Sequence, residues 1–384
     1  MRFEFATANR VIFGVGALAE VGELAKEFGR QALVVTGSDS DRAAPLLSIL
    51  KKSGLESTVF TVPGEPTIAL AKEGTRMAHE AAYDLVIGFG GGSALDAGKA
   101  IAALVKNGDD PLDFLEVIGR GKPLTKPPLP YIVIPTTAGT GSEVTRNAVL
   151  ASKEHRVKVS LRSREMLPRA ALVDPELTLS VPPSITASTG LDALTQVIEP
   201  YLSTRRNPLT DGFCREGMRR AAQSLQRAYE NGKDIGARTN MSLVSLMGGL
   251  SLANAGLGAV HGFAGPFGGM FNAAHGAICA ALLPHVMSIN LQAIRAQDLS
   301  VELIARFDEI GRLLTGNPTA VGEDGVTWLM DLCTAMDVPS LGSHGLTHAD
   351  FPALIEKAVV SSSMKGNPVQ LTEVEMTTIL DRAV

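Results

Sequence analysis

The chain has 384 residues and a formal net charge of −5, with 45% hydrophobic, 20% charged and 5% aromatic residues. That length allows roughly two domains of about 100–200 residues each, and the balance suits a globular protein with a substantial core. An acidic chain without a Lys/Arg cluster repels phosphate backbones, and so few aromatics offer no stacking platform, which excludes nucleic acid as a partner.

From the N-terminus, MRFEFATANRVIFG lacks the basic-then-apolar layout of a signal peptide. Short β-branched runs at 32–36 (ALVVT), 57–62 (STVFTV), 84–89 (DLVIGF), 131–135 (YIVIP) and 170–173 (AALV) read as strands. Between the earlier ones, residues 44–53 and 67–82 carry apolar residues at helical intervals, and 94–105 is helix-like. Strand–helix alternation predicts a mainly parallel sheet covered by helices. At 181–184 (VPPS) two prolines block helix continuation, and beyond them the strands vanish. Residues 185–201, 209–230, 235–254, 277–290, 301–314, 322–336 and 351–360 read as helices. The chain therefore divides into an α/β domain, 1–182, and an all-helical domain, 183–384.

No apolar run approaches the roughly 18 residues of a membrane span, and 277–284 suits a buried helix instead. Cys214, Cys279 and Cys333 are odd in number and far apart, so neither a disulfide framework nor a zinc knuckle follows. They read as buried reduced thiols, which points to a cytoplasmic chain.

Two glycine-rich turns each follow an apolar strand. The first is Gly88-Phe89-Gly90-Gly91-Gly92-Ser93, ahead of a helix whose free N–H groups and dipole favour an anion. The second runs Pro135-Thr136-Thr137-Ala138-Gly139-Thr140-Gly141-Ser142 and offers four hydroxyls. Either turn alone is an ordinary connector; two on one sheet point to a phosphate-bearing ligand. The second lacks the Lys–Ser/Thr pair of a P-loop. The usual dinucleotide fingerprint is missing after the first strand, where Thr36-Gly37-Ser38-Asp39 stands.

In the helical half, Asp192 and Gln196 are four apart and share a face, while His261 and His275 flank HGFAGPFGGMFNAAHG. One carboxylate and two imidazoles suffice for a divalent metal with an open position, where the ion acts as a Lewis acid. The plainer reading is a pair of core histidines bonded to backbone carbonyls. Spacing alone favours it, because nothing in the sequence brings Asp192 near His261.

Five ordered stretches, GGGSALDAGKA (90–100), PTTAGTGSEVT (135–145), VDPELT (173–178), GLDALTQVIEPYLS (190–203) and GAVHGFAGPFGGMFNAAHG (258–276), resemble the iron-containing, or group III, alcohol dehydrogenases. The resemblance implies a Rossmann-like dinucleotide-binding domain followed by an all-α domain, the dehydroquinate synthase-like fold. It implies an NAD(P)-dependent enzyme that passes hydride between the nicotinamide and a small alcohol/aldehyde or ketone pair. Gly91, Gly92 and Ser93 would cradle the pyrophosphate, with Asp96 near the nicotinamide and Thr136, Thr137, Thr140 and Lys158 lining the groove. Asp192, His261 and His275 fall on catalytic metal-ligand positions for Fe²⁺ or Zn²⁺, with Gln196 where the family usually has His. Gly265 also replaces a frequent His, which widens the pocket. An amide oxygen is a weaker ligand than imidazole, so looser metal binding is expected. Gly37-Ser38 at the end of the first strand, in place of Asp, leans toward NADP over NAD, with Arg42 as a phosphate partner; Asp39 and Asp41 argue for NAD. Two readings compete: a metal-independent enzyme like the maleylacetate reductases, and a non-catalytic dinucleotide-binding protein. A carbon–oxygen lyase like the dehydroquinate synthases is disfavoured, since 192–203 offers no Lys or Arg. A homodimer is the expected assembly.

Overall fold

The computed structural model describes residues 2–108, 110–152, 154–155, 157–271, 273–297 and 300–384. Two compact units are present. One comprises Ala6–Thr137 and Gly141–Thr178; the other comprises residues 2–5, Ala138–Thr140 and Leu179–Val384.

The first unit contains β1 (Val11–Phe13), α1 (Val21–Lys26), β2 (Gln31–Thr36), α2 (Ala44–Lys52), β3 (Glu56–Thr61), α3 (Ile68–Glu80), β4 (Leu85–Gly90), α4 (Gly92–Asn107), β5 (Tyr131–Pro135), β6 (Asn147–Ser152), β7 (Val157–Arg162) and β8 (Ala170–Val173). Six strands form one parallel sheet in the order β1-β8-β5-β4-β2-β3. The central strands are buried on both faces, as in β4, where all six residues are buried. That is why they read as unbroken apolar runs rather than alternating ones.

β1, β6 and β7 were not expected. β1 is a three-residue edge strand. β6 and β7 form a separate antiparallel hairpin, and β6 alternates half-buried and buried positions. The apolar run of β6 is only the four residues 148–151, and lysine and arginine interrupt β7.

The chain passes from β2 to β3 on one side and then returns to β4 on the other, so the β2/β4 boundary is a topological switch point. Ligands of such sheets bind outside the strands' carboxyl ends at this point. Gly90 closes β4 with φ of +159° and lies so near the next loop that a methyl group on it would stand 3.3 Å from the Gly37 nitrogen. Only glycine accepts that conformation without strain.

The second unit is helical: α5 (Pro183–Leu202), α6 (Pro208–Glu230), α7 (Ile235–Ala255), α8 (Ala259–Met270), α9 (His275–Ala296), α10 (Val301–Thr315), α11 (Gly322–Ala335), α12 (Phe351–Val359) and α13 (Glu373–Ala383). Its core gathers Tyr201, Phe263, Phe267 and Phe307. Sequence reading missed α8 and α13. α8 holds four glycines and Pro266, a composition with poor helix propensity, and burial of Val260, Phe263, Ala264 and Phe267 overrides it. α13 did announce itself: Thr372 and Glu375 form a capping box. α9 is longer than expected, running through Pro284. It is long and apolar enough to cross a membrane, but 78% of its apolar window is buried, as in a core helix.

In the α/β unit, the buried Lys99 ammonium on α4 pins the segment entering β6. It donates to the Ser142 carbonyl at 2.8 Å, Ser142 Oγ at 3.1 Å, Thr145 Oγ1 at 3.0 Å and the Asn147 carbonyl at 2.9 Å. Burial pulls Lys99 down to about 8, with Asp96 and Glu143 opposing. Burial likewise pushes Glu143 up to about 7, only partly offset by its backbone hydrogen bond and Lys99. Between its ordinary 4.5 and about 7, Glu143 keeps a proton in the fold that the unfolded chain has released, so its contribution to stability falls as pH rises through that window. Glu143→Gln removes that dependence. Urea unfolding of wild type and variant from pH 4.5 to 7.5 is expected to diverge by about 3 kcal/mol, the wild type losing more with rising pH; parallel curves would contradict this.

Candidate active site

At the carboxyl edge of the sheet, three turns lie side by side. Gly37 and Ser38 follow β2, Gly91 to Ser93 follow β4, and Thr136 and Thr137 follow β5. Pairing of Thr36 with Phe89 and of Gly90 with Pro135 sets them level. The Thr136 amide donates to the Gly90 carbonyl at 2.9 Å, and a methyl group on Gly91 would stand 3.4 Å from Thr137 Oγ1. Gly91 is the N-cap of the sixteen-residue α4 and makes no side-chain cap bond. The first amides of α4 have no intrahelical acceptor and, with the dipole, favour an anion there.

The remaining α/β residues singled out from the sequence are held differently. Asp96 accepts from Ser142 Oγ at 2.6 Å and from the Val149 amide at 2.9 Å, so its carboxylate ties α4 to β6. Lys158, on β7, pairs with Glu65 at 3.0 Å. Arg42 donates to the Leu177 carbonyl at 3.0 Å. Thr140 belongs to the helical unit.

The helical unit brings Asp192, His261 and His275 together. Asp192 projects from α5. A 97° bend between α7 and α8 puts His261 in the first turn of α8, and His275 opens α9. Glycine at 276 makes the approach possible: a methyl group there would lie 2.3 Å from the Ser188 carbonyl oxygen of α5.

His261 Nε2 lies 3.3 Å and His275 Nε2 4.0 Å from Asp192 Oδ1. Asp192 is 2% exposed, His261 7% and His275 37%, so the cluster is sealed on all but the His275 side. Despite the nearby imidazoles, Asp192 Oδ1 is buried without an aligned hydrogen-bond donor. Such an orphaned carboxylate oxygen, facing two imidazole nitrogens, suits a cation. The donors present fit a divalent metal.

Glu199 lies two turns beyond Asp192 on α5. It accepts from the Val260 amide at 2.7 Å, and its other oxygen lies 2.7 Å from His261 Nδ1. A carboxylate only accepts, so Nδ1 donates to Glu199, and Nε2 is the nitrogen turned toward Asp192. This is the carboxylate–histidine support found behind metal ligands. Sequence reading overlooked Glu199, although its seven-residue spacing from Asp192 puts both on one helix face. Cys279 is the buried free thiol expected from the sequence, and its surroundings were not. Cys279 Sγ lies 3.7 Å from His275 Nε2 and 3.8 Å from His261 Nε2, and all four donors fall within 4.8 Å of one another.

Gln196 sits beside Asp192 and donates to it. Its buried Oε1 has no hydrogen-bond partner and would lie 3.3 Å from a methyl group on Gly248 of α7. Around Gly265 there is open space. The charges interlock: burial opposes ionisation of Asp192, yet His261, His275 and Gln196 outweigh it and hold the carboxyl below its ordinary range. His261 is disfavoured as a cation by burial but raised well above its ordinary value by Cys279, Asp192 and Glu199, and His275 is raised chiefly by Cys279.

Comparison with known proteins adds the following. Residues 8–175 match the family described as iron-containing alcohol dehydrogenase, and residues 186–384 match the C-terminal domain of the Fe-containing alcohol dehydrogenase family. Alcohol dehydrogenase 4 of Saccharomyces cerevisiae (strain YJM789) is 36% identical over 380 residues, covering 97% of this chain and 96% of the yeast protein. The crystal structure of a 1,3-propanediol oxidoreductase superposes with a TM-score of 0.92 at 31% identity, covering 100% of both chains. The sulfoacetaldehyde reductase of Bifidobacterium kashiwanohense, solved in complex with NAD+, has a TM-score of 0.87 at 27% identity, covering 100% of this chain and 99% of that one.

Glu199→Gln is expected to weaken Zn²⁺ binding about 10–100-fold, because loss of the carboxylate frees the His261 tautomer and ring orientation. Competition against a chromophoric chelator measures it. Because both imidazoles hold protons tightly, affinity in either protein should also rise with pH. Equal affinities for wild type and variant would remove Glu199 from the site.

Proposed function

The chain belongs to the iron-containing alcohol dehydrogenase family, and on that premise we propose that Asp192, His261 and His275 hold its divalent metal. The protein is an NAD(P)-linked alcohol/aldehyde oxidoreductase acting on a small alcohol or aldehyde. The observation that carries the site assignment is the buried, partnerless Asp192 Oδ1 aimed at two imidazole nitrogens.

When bound, the ion supplies Lewis acidity to the substrate oxygen, favouring the alkoxide from which hydride departs. The protein's own groups do the rest. Asp192 and the two imidazoles fix the position, Glu199 holds His261 in the donating tautomer, and the imidazoles, with a smaller share from Gln196, keep the Asp192 carboxyl below its ordinary range. The exposed side of His275 is the face open to substrate, and the space around Gly265 admits a side chain on the carbinol carbon. Hydride transfer requires that carbon within van der Waals reach of nicotinamide C4.

On the α/β unit, we assign the pyrophosphate to Gly91, Gly92 and Ser93 at the start of α4. Gly37 and Ser38 would meet the adenosine ribose, with Thr136, Thr137, Asp96 and Lys158 completing the dinucleotide's surroundings on this unit. No carboxylate stands directly at the end of β2 to repel a 2′-phosphate, which supports NADP(H) as the preferred coenzyme. The Leu177 carbonyl already takes one Arg42 nitrogen, so any role of Arg42 with phosphate rests on its other donors.

Oxidation of NADPH and NADH over a panel of small aldehydes and ketones, with and without added Fe²⁺ or Zn²⁺, tests the reading. Turnover is expected to be metal-dependent and faster with NADPH. Asp192→Ala and His275→Ala should lower kcat/KM by about 100-fold or more, and Gln196→Ala by about tenfold or less. Equal, small losses in all three variants would overturn the metal assignment.

A further inference from the structure

Gln196 leaves this centre one imidazole short of the set the resemblance implied, and the fold places a different donor within reach. His275 and Cys279 are four residues apart on α9, so their side chains leave the same face of the helix. Cys279 is fully buried, and the groups its sulfur approaches are the two imidazole nitrogens of the site, at 3.7 and 3.8 Å.

Those distances can be compared with what a metal demands. With bonds of about 2.0–2.1 Å to nitrogen or oxygen and about 2.3 Å to sulfur, a tetrahedral ion spaces its donors about 3.3 Å apart for N···O and about 3.6 Å for N···S. The observed N···O separations are 3.3 and 4.0 Å, and the N···S separations are 3.7 and 3.8 Å. Three of the four match the edges of such a tetrahedron within about 0.2 Å, and the fourth, on the more exposed His275, needs a side-chain adjustment only.

Gln196 is the rival for the fourth place. Its amide N–H faces Asp192, and its oxygen lies on the Gly248 side of the residue, so it braces the carboxylate. A thiolate is also anionic, and with Asp192 it balances a divalent charge inside a buried pocket, where an unbalanced ion is costly.

We propose that Cys279, as a thiolate, is the fourth protein ligand of the metal, taking the place of the imidazole absent at 196. The assignment rests on the metal reading above and extends it. It also names the ion: a set of one carboxylate, two imidazoles and one soft thiolate suits zinc and disfavours hard, oxygen-seeking cations such as magnesium and manganese. Zinc accepts a fifth ligand, so four protein donors leave the site open to a substrate oxygen.

The test uses Co²⁺ as a spectroscopic stand-in for zinc in the metal-free full-length protein. Wild type is expected to bind one equivalent, showing visible d–d bands and a near-ultraviolet thiolate-to-cobalt charge-transfer band. The double variant Cys214→Ala/Cys333→Ala, which keeps Cys279 as the sole cysteine, should retain that band. Cys279→Ala should lose it while keeping d–d bands, and its Zn²⁺ affinity should fall by about 100-fold or more, exceeding the cost of losing an outer support. Cobalt bound to wild type with d–d bands and no charge-transfer band would refute the Cys279 assignment while the metal reading stood. Loss of the band in the double variant would do the same. Failure of wild type to bind cobalt at all would overturn both.

Discussion

A carboxylate buried at the centre of a helical unit, with one oxygen lacking any aligned donor, is the constraint around which the rest of the site is arranged. Removing an ionised carboxylate from water costs several kcal/mol unless a partner compensates. Asp192 meets that cost partly through Gln196 and the imidazoles. One oxygen remains without a donor in a pocket formed by α5, α8 and α9 and open only on the His275 side. The proposed divalent cation would complete the balance. It would also give one purpose to the glycine at 276 that lets α9 close on α5, the abrupt turn into α8, and Glu199 locked behind His261.

The α/β unit answers a different demand. A parallel sheet buried on both faces directs its carboxyl-end turns to one edge, and strand order alone puts the β2 and β4 turns at the switch point. Gly90 lets the β2 and β4 turns come close, since a methyl group on it would stand 3.3 Å from the Gly37 nitrogen, and the proposed pyrophosphate would meet several amides there. Nearby polar residues that look free in the sequence are held. Asp96 and Lys99 fasten the segment from Ser142 to Val149, and Lys158 pairs with Glu65. In the proposed dinucleotide site main-chain geometry would be the recognition element, and Asp96, Lys99 and Lys158 are tied up in holding the unit in shape.

Strand–helix alternation followed by helices was legible because buried parallel strands are continuous apolar runs and the bundle helices carry strong periodicity. α8 was not, since its helicity comes from packing of Phe263 and Phe267 rather than from its glycine-rich sequence. The β6–β7 hairpin hid for another reason: β6 offers only four apolar residues in a row, and the lysine and arginine of β7 make that strand resemble a loop. Motifs identified Asp192, His261 and His275, but their meeting depends on three helices that sequence spacing does not relate. Glu199 and Cys279 were within reach through helical spacing alone, seven residues from Asp192 and four from His275. Chemistry disguised them, one as a surface-type acid and the other as a core thiol.

The central claim is that donors from α5, α8 and α9 close around a single metal ion. X-ray absorption at the zinc edge of the loaded protein tests it most directly. The account predicts one ion per chain, a nitrogen/oxygen shell at about 2.0–2.1 Å, and the outer-shell scattering of two imidazole rings. A shell of oxygen atoms alone, without imidazole scattering, would place the metal elsewhere and contradict it.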